Sequence, residues 1–457
     1  MTEQASTTER KPGEQPELRR AIGPKLLLFF VLGDILGTGI YALTGSVAGQ
    51  IGGALWVPFL LAFVVAFLTA FSYLELVGKY PRAAGAALYT NRAFKIQFFT
   101  FMVAFAVMAS GVTSAATAAK AFGDTYLKQF ITLPTWAVAG VFIIGLALIN
   151  FRGVGESVKA NVALTIIEVS GLLLIIGVGV YAVSQGQGEA SRLVEIDTSQ
   201  NNVFLAITAA TSLAFFAMVG FEDSVNMAEE CKEPARIFPR ALLLGMGIAA
   251  AIYVIVAVLS SMLVSADDLA AAKSDALFRV LQAGAPGFPL GIFAAIGLLA
   301  VINSALINML MASRLLYGMA NERIIPRQFG TVHPTRRTPW VSIVFTSAIA
   351  FVLVTTADIT LLGGTTALLL LAVFTVVNIA VLVLRREPAD HDHFVAPTWA
   401  PVLGVLLCGF LATPLSGRPL QQFVVAGILL VVGAALWVVN RLIVGKVEFD
   451  PSKLGKD

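Results

Sequence analysis

The stretch VLGDILGTGIYALTGSVAGQ, residues 31–50, decides how the rest of this chain is interpreted. It lies in an apolar run long enough to cross a bilayer, yet Gly37-Thr38-Gly39 falls near the middle of that run. Glycine costs roughly 1 kcal/mol relative to alanine inside a helix, so this tripeptide predicts an interruption of the helix. Non-helical backbone at membrane depth is tolerated where it is buried in protein or lines a cavity. The alternative interpretation is close helix packing through small residues.

The composition indicates an integral membrane protein. The chain has 457 residues, of which 57% are hydrophobic and only 13% are charged, whereas soluble domains are about 25% charged. Too few polar side chains remain to cover a surface that faces water. Two cysteines and three histidines give no disulfide framework and no metal site. We therefore expect the lipid bilayer as surroundings, with no cofactor, no metal and no nucleic acid partner.

Apolar runs of about 20 residues predict twelve membrane spans. They fall near 25–49, 53–78, 97–119, 133–151, 160–184, 203–228, 239–264, 286–318, 340–357, 360–384, 397–415 and 420–442. With the N-terminus in the cytoplasm, 25 of the 31 lysines and arginines lie on the cytoplasmic side. This bias agrees with the positive-inside rule, so we expect a multi-pass protein of the cell membrane with both termini cytoplasmic.

The predicted domain layout is a single transporter domain, residues 25–442, between two cytoplasmic tails. The tails are residues 1–24 and 443–457. A counterpart of the opening stretch stands five spans later, in FLAITAATSLAFFAMVGFEDSVNMAEE, residues 204–230, where Gly220 is followed by Glu222 and Asp223. Interrupted segments at matching places in two halves indicate an inverted-repeat transporter that binds its substrate at the breaks. The repeats are predicted at about 25–184 and 203–384, and two helices at about 397–442 are appended.

Four sequence blocks resemble the amino acid–polyamine–organocation superfamily, specifically its bacterial amino acid permeases. The resemblance extends from Ile35 to about Asn440. Its blocks are GTGIYALTG (37–45), SYLELVGKYPRAAGAALY (72–89), FFAMVGFED (215–223) with EECKEPARIFPRA (229–241), and ASRLLYGMANERIIPRQFGTVHPTRRTPW (312–340). It implies an all-α membrane fold of twelve helices, built as a five-plus-five inverted repeat with helices one and six unwound and two extra helices.

The expected substrate site lies at the two breaks. Peptide N–H groups that begin a half-helix favour an anion, and the glycines match the carboxylate site that the family keeps in helix one. Free carbonyls of Ile35, Phe216 and Val219 would accept hydrogen bonds from an ammonium group, and Phe216 matches an aromatic residue that covers the substrate in the family. The candidate binding residues are Ile35, Gly37, Thr38, Gly39, Phe216, Ala217, Val219 and Gly220.

Acidic residues inside predicted spans are further candidates. An ionisable group at that depth is a functional hypothesis by default. Glu168, Glu222 and Asp34 could carry a coupling proton, and Glu168 is the first choice because it lies in the middle of span five. It aligns with a position where some proton-coupled members hold a lysine, whose role cannot be carried over. Each of these carboxyls could instead be a neutral acid that hydrogen-bonds nearby backbone.

The predicted function is secondary active transport of an amino acid, coupled to protons. A polyamine or other organic-cation transporter and an amino acid exchanger of the same fold remain open, whereas a channel would not need two matched breaks. An enzyme is not expected, since no catalytic nucleophile–base pattern appears. A side-chain pocket is expected between spans three, six, eight and ten, with Met108, Ser110, Asn303 and Ser304 as candidates by helix position.

Overall fold

The computed structural model describes residues 22–81, 85–152, 157–197, 202–225, 231–389 and 391–445. Most of the two predicted tails lies outside these residues. The described residues form sixteen α-helices. They are α1 Pro24–Ile35, α2 Thr38–Ile51, α3 Trp56–Lys79, α4 Gly85–Phe94, α5 Gln97–Ala121, α6 Thr135–Arg152, α7 Ser157–Ser184, α8 Val203–Ala214, α9 Pro234–Leu263, α10 Ala266–Ala272, α11 Ala276–Gly284, α12 Leu290–Asn321, α13 Trp340–Thr356, α14 Ile359–Leu384, α15 Trp399–Leu411 and α16 Leu420–Val444.

Ten helical stretches of the described residues are long and apolar enough to cross a bilayer. Two shorter apolar helices, α13 and α15, stand where the ninth and eleventh spans are predicted. The outer surface carries many large exposed apolar side chains; for example, Val141 is 74% exposed and Leu442 is 82% exposed. Soluble monomers rarely expose such continuous apolar surface. The protein is a multi-pass, all-helical membrane protein.

The first span is interrupted between α1 and α2. Helix α1 ends at Ile35 and α2 begins at Thr38, so only Leu36 and Gly37 separate the two helices. The non-helical residues therefore lie slightly before the centre of the Gly37-Thr38-Gly39 tripeptide. Thr38 and Gly39 form the first turn of α2, whose N–H groups have no partner within that helix.

The sixth span is interrupted over a longer stretch than its glycine alone indicates. Helix α8 ends at Ala214, the residues Phe215–Met218 form a 3₁₀ turn, and Val219 is extended. Gly220 follows with φ of 121°, a conformation that residues with a Cβ atom rarely adopt. The break therefore begins at Phe215, five residues before Gly220.

Buried or partly buried arginine side chains join helix ends at two places. At one end, the Arg385 guanidinium donates two hydrogen bonds to the Glu75 carboxylate, at 2.8 and 2.7 Å, and joins α3 to the end of α14. At another place, the buried Arg418 guanidinium bonds the carbonyls of Leu411, Gly364 and Ser212. It thereby joins the connection between α15 and α16 to α8, just before the break in span six.

Candidate functional site

The two breaks pack directly against each other. A Cβ atom added to Gly39 would lie 2.4 Å from Cα of Ala217, and one added to Gly220 would lie 2.6 Å from the carbonyl oxygen of Asp34. Both distances are too short for any side chain, so the breaks meet through bare backbone. Glycine therefore serves close packing here, which was the alternative interpretation from the sequence, and it does so between the two irregular segments themselves.

A small cavity of about 20 Å³ lies where the breaks meet, and we call it the break cavity. It is large enough for about one water molecule. Its lining comes from both breaks and from α5 and α12: Asp34, Ile35, Gly37, Thr38, Gly39, Ser114, Phe216, Val219, Gly220, Asp223, Ser304 and Asn308. Seven of the eight substrate-binding candidates are in this lining. The eighth, Ala217, packs against Gly39 without lining the cavity.

Unpartnered polar groups face the break cavity. Thr38 is 2% exposed, and its hydroxyl has no hydrogen-bond partner within the described residues. Asp34 Oδ2 is also buried without such a partner. Because a buried polar group without a partner costs free energy, these two atoms mark a place where a ligand or water would be bound. The first N–H groups of α2 lie at the same place.

The sequence predicts a free carbonyl at Ile35, but this carbonyl has a hydrogen-bond partner within the protein. The Tyr253 hydroxyl, from α9, donates a hydrogen bond of 2.6 Å to this carbonyl. One of its two acceptor positions is therefore used inside the protein. The carbonyl end of α1 is held by a fixed partner in addition to any ligand that it meets.

A second cavity, also about 20 Å³, adjoins the first, and we call it the side cavity. Its lining comes from α5, span six, α12 and α14, the four spans from which a side-chain pocket was expected. The residues are Val107, Ser110, Gly111, Val219, Glu222, Asp223, Asn308, Met311, Ala312, Leu315, Thr366 and Leu370. Val219, Asp223 and Asn308 line both cavities.

The side-chain candidates divide between the cavities. Ser110 lines the side cavity and Ser304 lines the break cavity, whereas Met108 and Asn303 are buried and line neither. Sequence reasoning missed Asp223 and Asn308 as cavity residues. Asp223 directly follows Glu222 and meets the same criterion of an acid within a span. Asn308 stands one helical turn after Ser304 on α12, so helix periodicity places it on the same face.

The three proton-site candidates occupy different places. Asp34 lines the break cavity and Glu222 lines the side cavity, where Glu222 Oε2 accepts a 2.9 Å hydrogen bond from the N–H of Gly220. Glu168 lines neither cavity. It is fully buried, and both of its carboxyl oxygens lack a hydrogen-bond partner in the described part of the chain. The Tyr41 hydroxyl reaches only the main-chain oxygen of Glu168, at 2.6 Å.

Comparison with known proteins gives the family. The family model described as "Amino acid permease" matches residues 22–444. An uncharacterized transporter of Mycobacterium tuberculosis is 28% identical over 429 residues, covering 93% of this chain and 92% of that protein. The branched-chain amino acid permease BcaP of Bacillus subtilis is 23% identical, covering 90% and 91%. The low-affinity putrescine importer PlaP of Escherichia coli is 26% identical, covering 86% and 88%. The chain belongs to the amino acid permease family and is a secondary transporter of the membrane.

Proposed function

We propose that this transporter moves α-amino acids across the cell membrane by alternating access and binds them between the two breaks. The observation that carries the proposal is the lining of the break cavity, which combines the first N–H groups of α2 with acceptor groups of the span-six break. The N-terminus of a helix favours a carboxylate, and free carbonyls favour an ammonium group. An α-amino acid presents both groups on one carbon atom.

The proposed architecture has twelve spans, in which α13 and α15 also cross the bilayer. Spans one to five and six to ten form two inverted repeats, and both termini lie in the cytoplasm. This arrangement explains why the two interrupted spans are five spans apart and why their breaks pack against each other. The two cavities hold about one water molecule each, so the cavities would widen when the protein binds a substrate.

The proposed coupling ion is a proton carried by Glu168. Its carboxyl is fully buried and lacks a partner among the described residues, and an ionised carboxylate in such a place is strongly disfavoured. The group would be neutral when dry and would release its proton when one side of the protein opens to water. Glu222 is the second choice, because one of its oxygens is already bonded to the Gly220 N–H.

A polyamine is the second candidate substrate. The putrescine importer among the relatives and the acidic residues at the cavities favour it. A polyamine has no carboxylate, however, and would leave the N-terminal N–H groups of α2 without an anion. We therefore keep the amino acid as the first proposal.

Ligand-induced thermal stabilisation tests the substrate class. The purified protein is heated in the presence of each of the twenty amino acids and of putrescine, and binding raises the Tm. For an amino acid that stabilises the protein, its methyl ester and its N-acetyl derivative remove one charged group each. We expect both derivatives to lose the stabilisation. Equal stabilisation by the ester, or stabilisation by putrescine alone, would contradict carboxylate binding at α2.

A further inference from the structure

The side cavity is lined by two carboxyls and by other acceptors of hydrogen bonds. Two carboxyls, Glu222 and Asp223, face it together with Asn308 and two hydroxyls. No lysine or arginine is among the described residues that line either cavity. A positive charge placed beside Glu222 and Asp223 would be attracted to them in their ionised form.

The donor of each hydroxyl and one of the two N–H donors of Asn308 are already used within the protein. The Ser110 hydroxyl donates to the carbonyl of Val107 at 2.7 Å, and Asn308 Nδ2 donates to the carbonyl of Ser304 at 2.9 Å. The Thr366 hydroxyl is bonded to the carbonyl of Leu362 at 3.1 Å. Each side chain therefore has acceptor positions left for a ligand. A ligand group with several N–H donors can satisfy these acceptor positions.

Asp223 connects the two cavities. It lines both of them, whereas Glu222 lines only the side cavity and uses one oxygen to hold the N–H of Gly220. The unpartnered Thr38 hydroxyl, 2% exposed, marks the break cavity as a place for a ligand independently of the acids. A substrate bound at Thr38 would therefore have a carboxyl at the mouth of its side-chain compartment.

We propose that Asp223 is the specificity residue that binds the cationic side chain of a basic amino acid, whose α-carboxylate and α-ammonium groups lie at the breaks. The proposal rests on the proposed function and narrows its substrate class to lysine-like amino acids. A cationic side-chain group can form hydrogen bonds with Glu222 and Asp223, whereas a neutral apolar side chain would leave these acceptors without a ligand partner, which costs free energy. The side cavity, at about 20 Å³, matches an ammonium group in size because it holds about one water molecule.

Three ligands of equal chain length separate the contribution of the carboxylate to binding from that of the side-chain ammonium group. Lysine has both the amino acid head and the side-chain ammonium group, norleucine lacks that ammonium group, and cadaverine lacks the carboxylate. Their affinities are measured by calorimetry on the purified full chain in nanodiscs. We expect lysine to bind at least about tenfold more tightly than either of the others, since each lost charged contact is worth about 1.4 kcal/mol or more. This comparison needs no variant.

The variant Asp223→Asn then removes the charge while keeping the size of the side chain. We expect the affinity for lysine to fall at least about tenfold and the affinity for norleucine to stay the same or rise. Asp392→Asn, at an exposed position, is the matched control and should change neither affinity.

Each outcome decides a different point. If norleucine binds the parent protein as tightly as lysine, or if Asp223→Asn leaves the ratio of the two affinities unchanged, the cation subsite is wrong while the proposed function stands. If cadaverine binds as tightly as lysine, the α-carboxylate contributes nothing to binding, and the proposal of an amino acid held by its carboxylate at the breaks is wrong. If no amino acid binds at all, the proposed function itself fails.

Discussion

The hydroxyl of Tyr253, on α9, donates a 2.6 Å hydrogen bond to the carbonyl oxygen of Ile35, the last residue of α1. The carbonyls at the end of a helix have no partner within that helix. This tyrosine therefore satisfies one carbonyl at the first break and fixes the direction in which α1 ends. Both residues are buried, so the hydroxyl supplies a hydrogen bond that water does not supply here.

Tyr253→Phe should lower the free energy of unfolding by about 1–3 kcal/mol, because it leaves a buried carbonyl without its donor. We also expect weaker substrate binding, since α1 is then free to end in other directions. Thermal unfolding and substrate affinity of the purified protein measure the two effects. Tyr181→Phe, at a position 62% exposed on α7, is the matched control. Parent-like affinity in Tyr253→Phe would show that this bond has no role in shaping the site.

Alanine variants at the two glycines of the first break, Gly37 and Gly39, should differ in their transport activity. Gly39→Ala places its Cβ 2.4 Å from the backbone of Ala217, whereas Gly37→Ala meets Ser304 Oγ at 3.0 Å. The serine side chain can rotate away, but the backbone of Ala217 cannot move without displacing the second break. We therefore expect Gly39→Ala to abolish uptake and Gly37→Ala to keep a measurable part of it.

Uptake of the substrate into proteoliposomes, normalised to the inserted protein, checks this order. Gly177→Ala provides a control on α7, where no atom lies within 4 Å of the added Cβ. An order in which Gly37→Ala is the more damaging change would mean that contact between the breaks does not limit transport.

The sequence predicted the class of protein and the place of the first break because hydropathy and glycine content act locally. The chain leaves helix after Ile35 and re-enters it at Thr38, so the break includes Gly37, which agrees with the cost of glycine in a helix. The early end of α8 at Ala214 could not be read in the same way, since Phe215–Met218 contains no glycine or proline. Tertiary contacts decide that end, among them the bond from Arg418 to Ser212.

The lining of the cavities was predictable only in part. Helix periodicity gives the face of a helix, but not how far along the helix a cavity lies. Ser110 and Ser304 were therefore found, while Met108 and Asn303, on the same helices, line neither cavity. The partner of Ile35 was not predictable either, because Tyr253 is separated from it by 218 residues.

Arg418→Met should destabilise the protein although it keeps an apolar side chain of similar length. The guanidinium bonds three carbonyls, of Leu411, Gly364 and Ser212, at 2.7, 2.9 and 3.0 Å. Burial lowers the pKa of Arg418 to about 9, so the group is still charged at pH 7. Each carbonyl left without a donor costs about 1–3 kcal/mol, and we expect a lower Tm together with reduced transport.

Arg279→Met is the control for Arg418→Met, because Arg279 is exposed and bonds only its neighbour Gln282 among the described residues. An unchanged Tm in Arg418→Met would show that water replaces the guanidinium. In that case, the link between α8 and the connection from α15 to α16 would contribute little to stability.

Cysteine labelling tests the twelve-span topology. Cys231 and Cys408 are buried and are first replaced by alanine. Single cysteines are then placed at the exposed positions Gln187 and Ala271, which should lie outside, and at Arg92 and Thr335, which should lie inside. A membrane-impermeant maleimide applied to intact cells should label only the first pair. Labelling of Arg92→Cys or Thr335→Cys would refute the proposed orientation or the number of spans.

Glu168→Gln tests the proposed coupling. Glutamine keeps the size of the side chain and its capacity for hydrogen bonds, but it cannot release a proton in this pH range. We therefore expect substrate binding and counterflow close to those of the parent, together with loss of accumulation driven by an inward proton gradient. The comparison is made in proteoliposomes with an imposed gradient. Glu195→Gln, at an exposed position, is the matched control and should accumulate substrate like the parent.

The reason for choosing Glu168 is that its carboxyl lies apart from both cavities. Its neutralisation should affect energy coupling without removing a group that contacts the substrate. If gradient-driven accumulation survives in Glu168→Gln, the coupling proton is carried elsewhere, and Glu222→Gln becomes the next variant. If the parent itself ignores the gradient, the protein is an exchanger or uses another ion, because a carboxyl that changes protonation in each cycle must respond to the proton gradient.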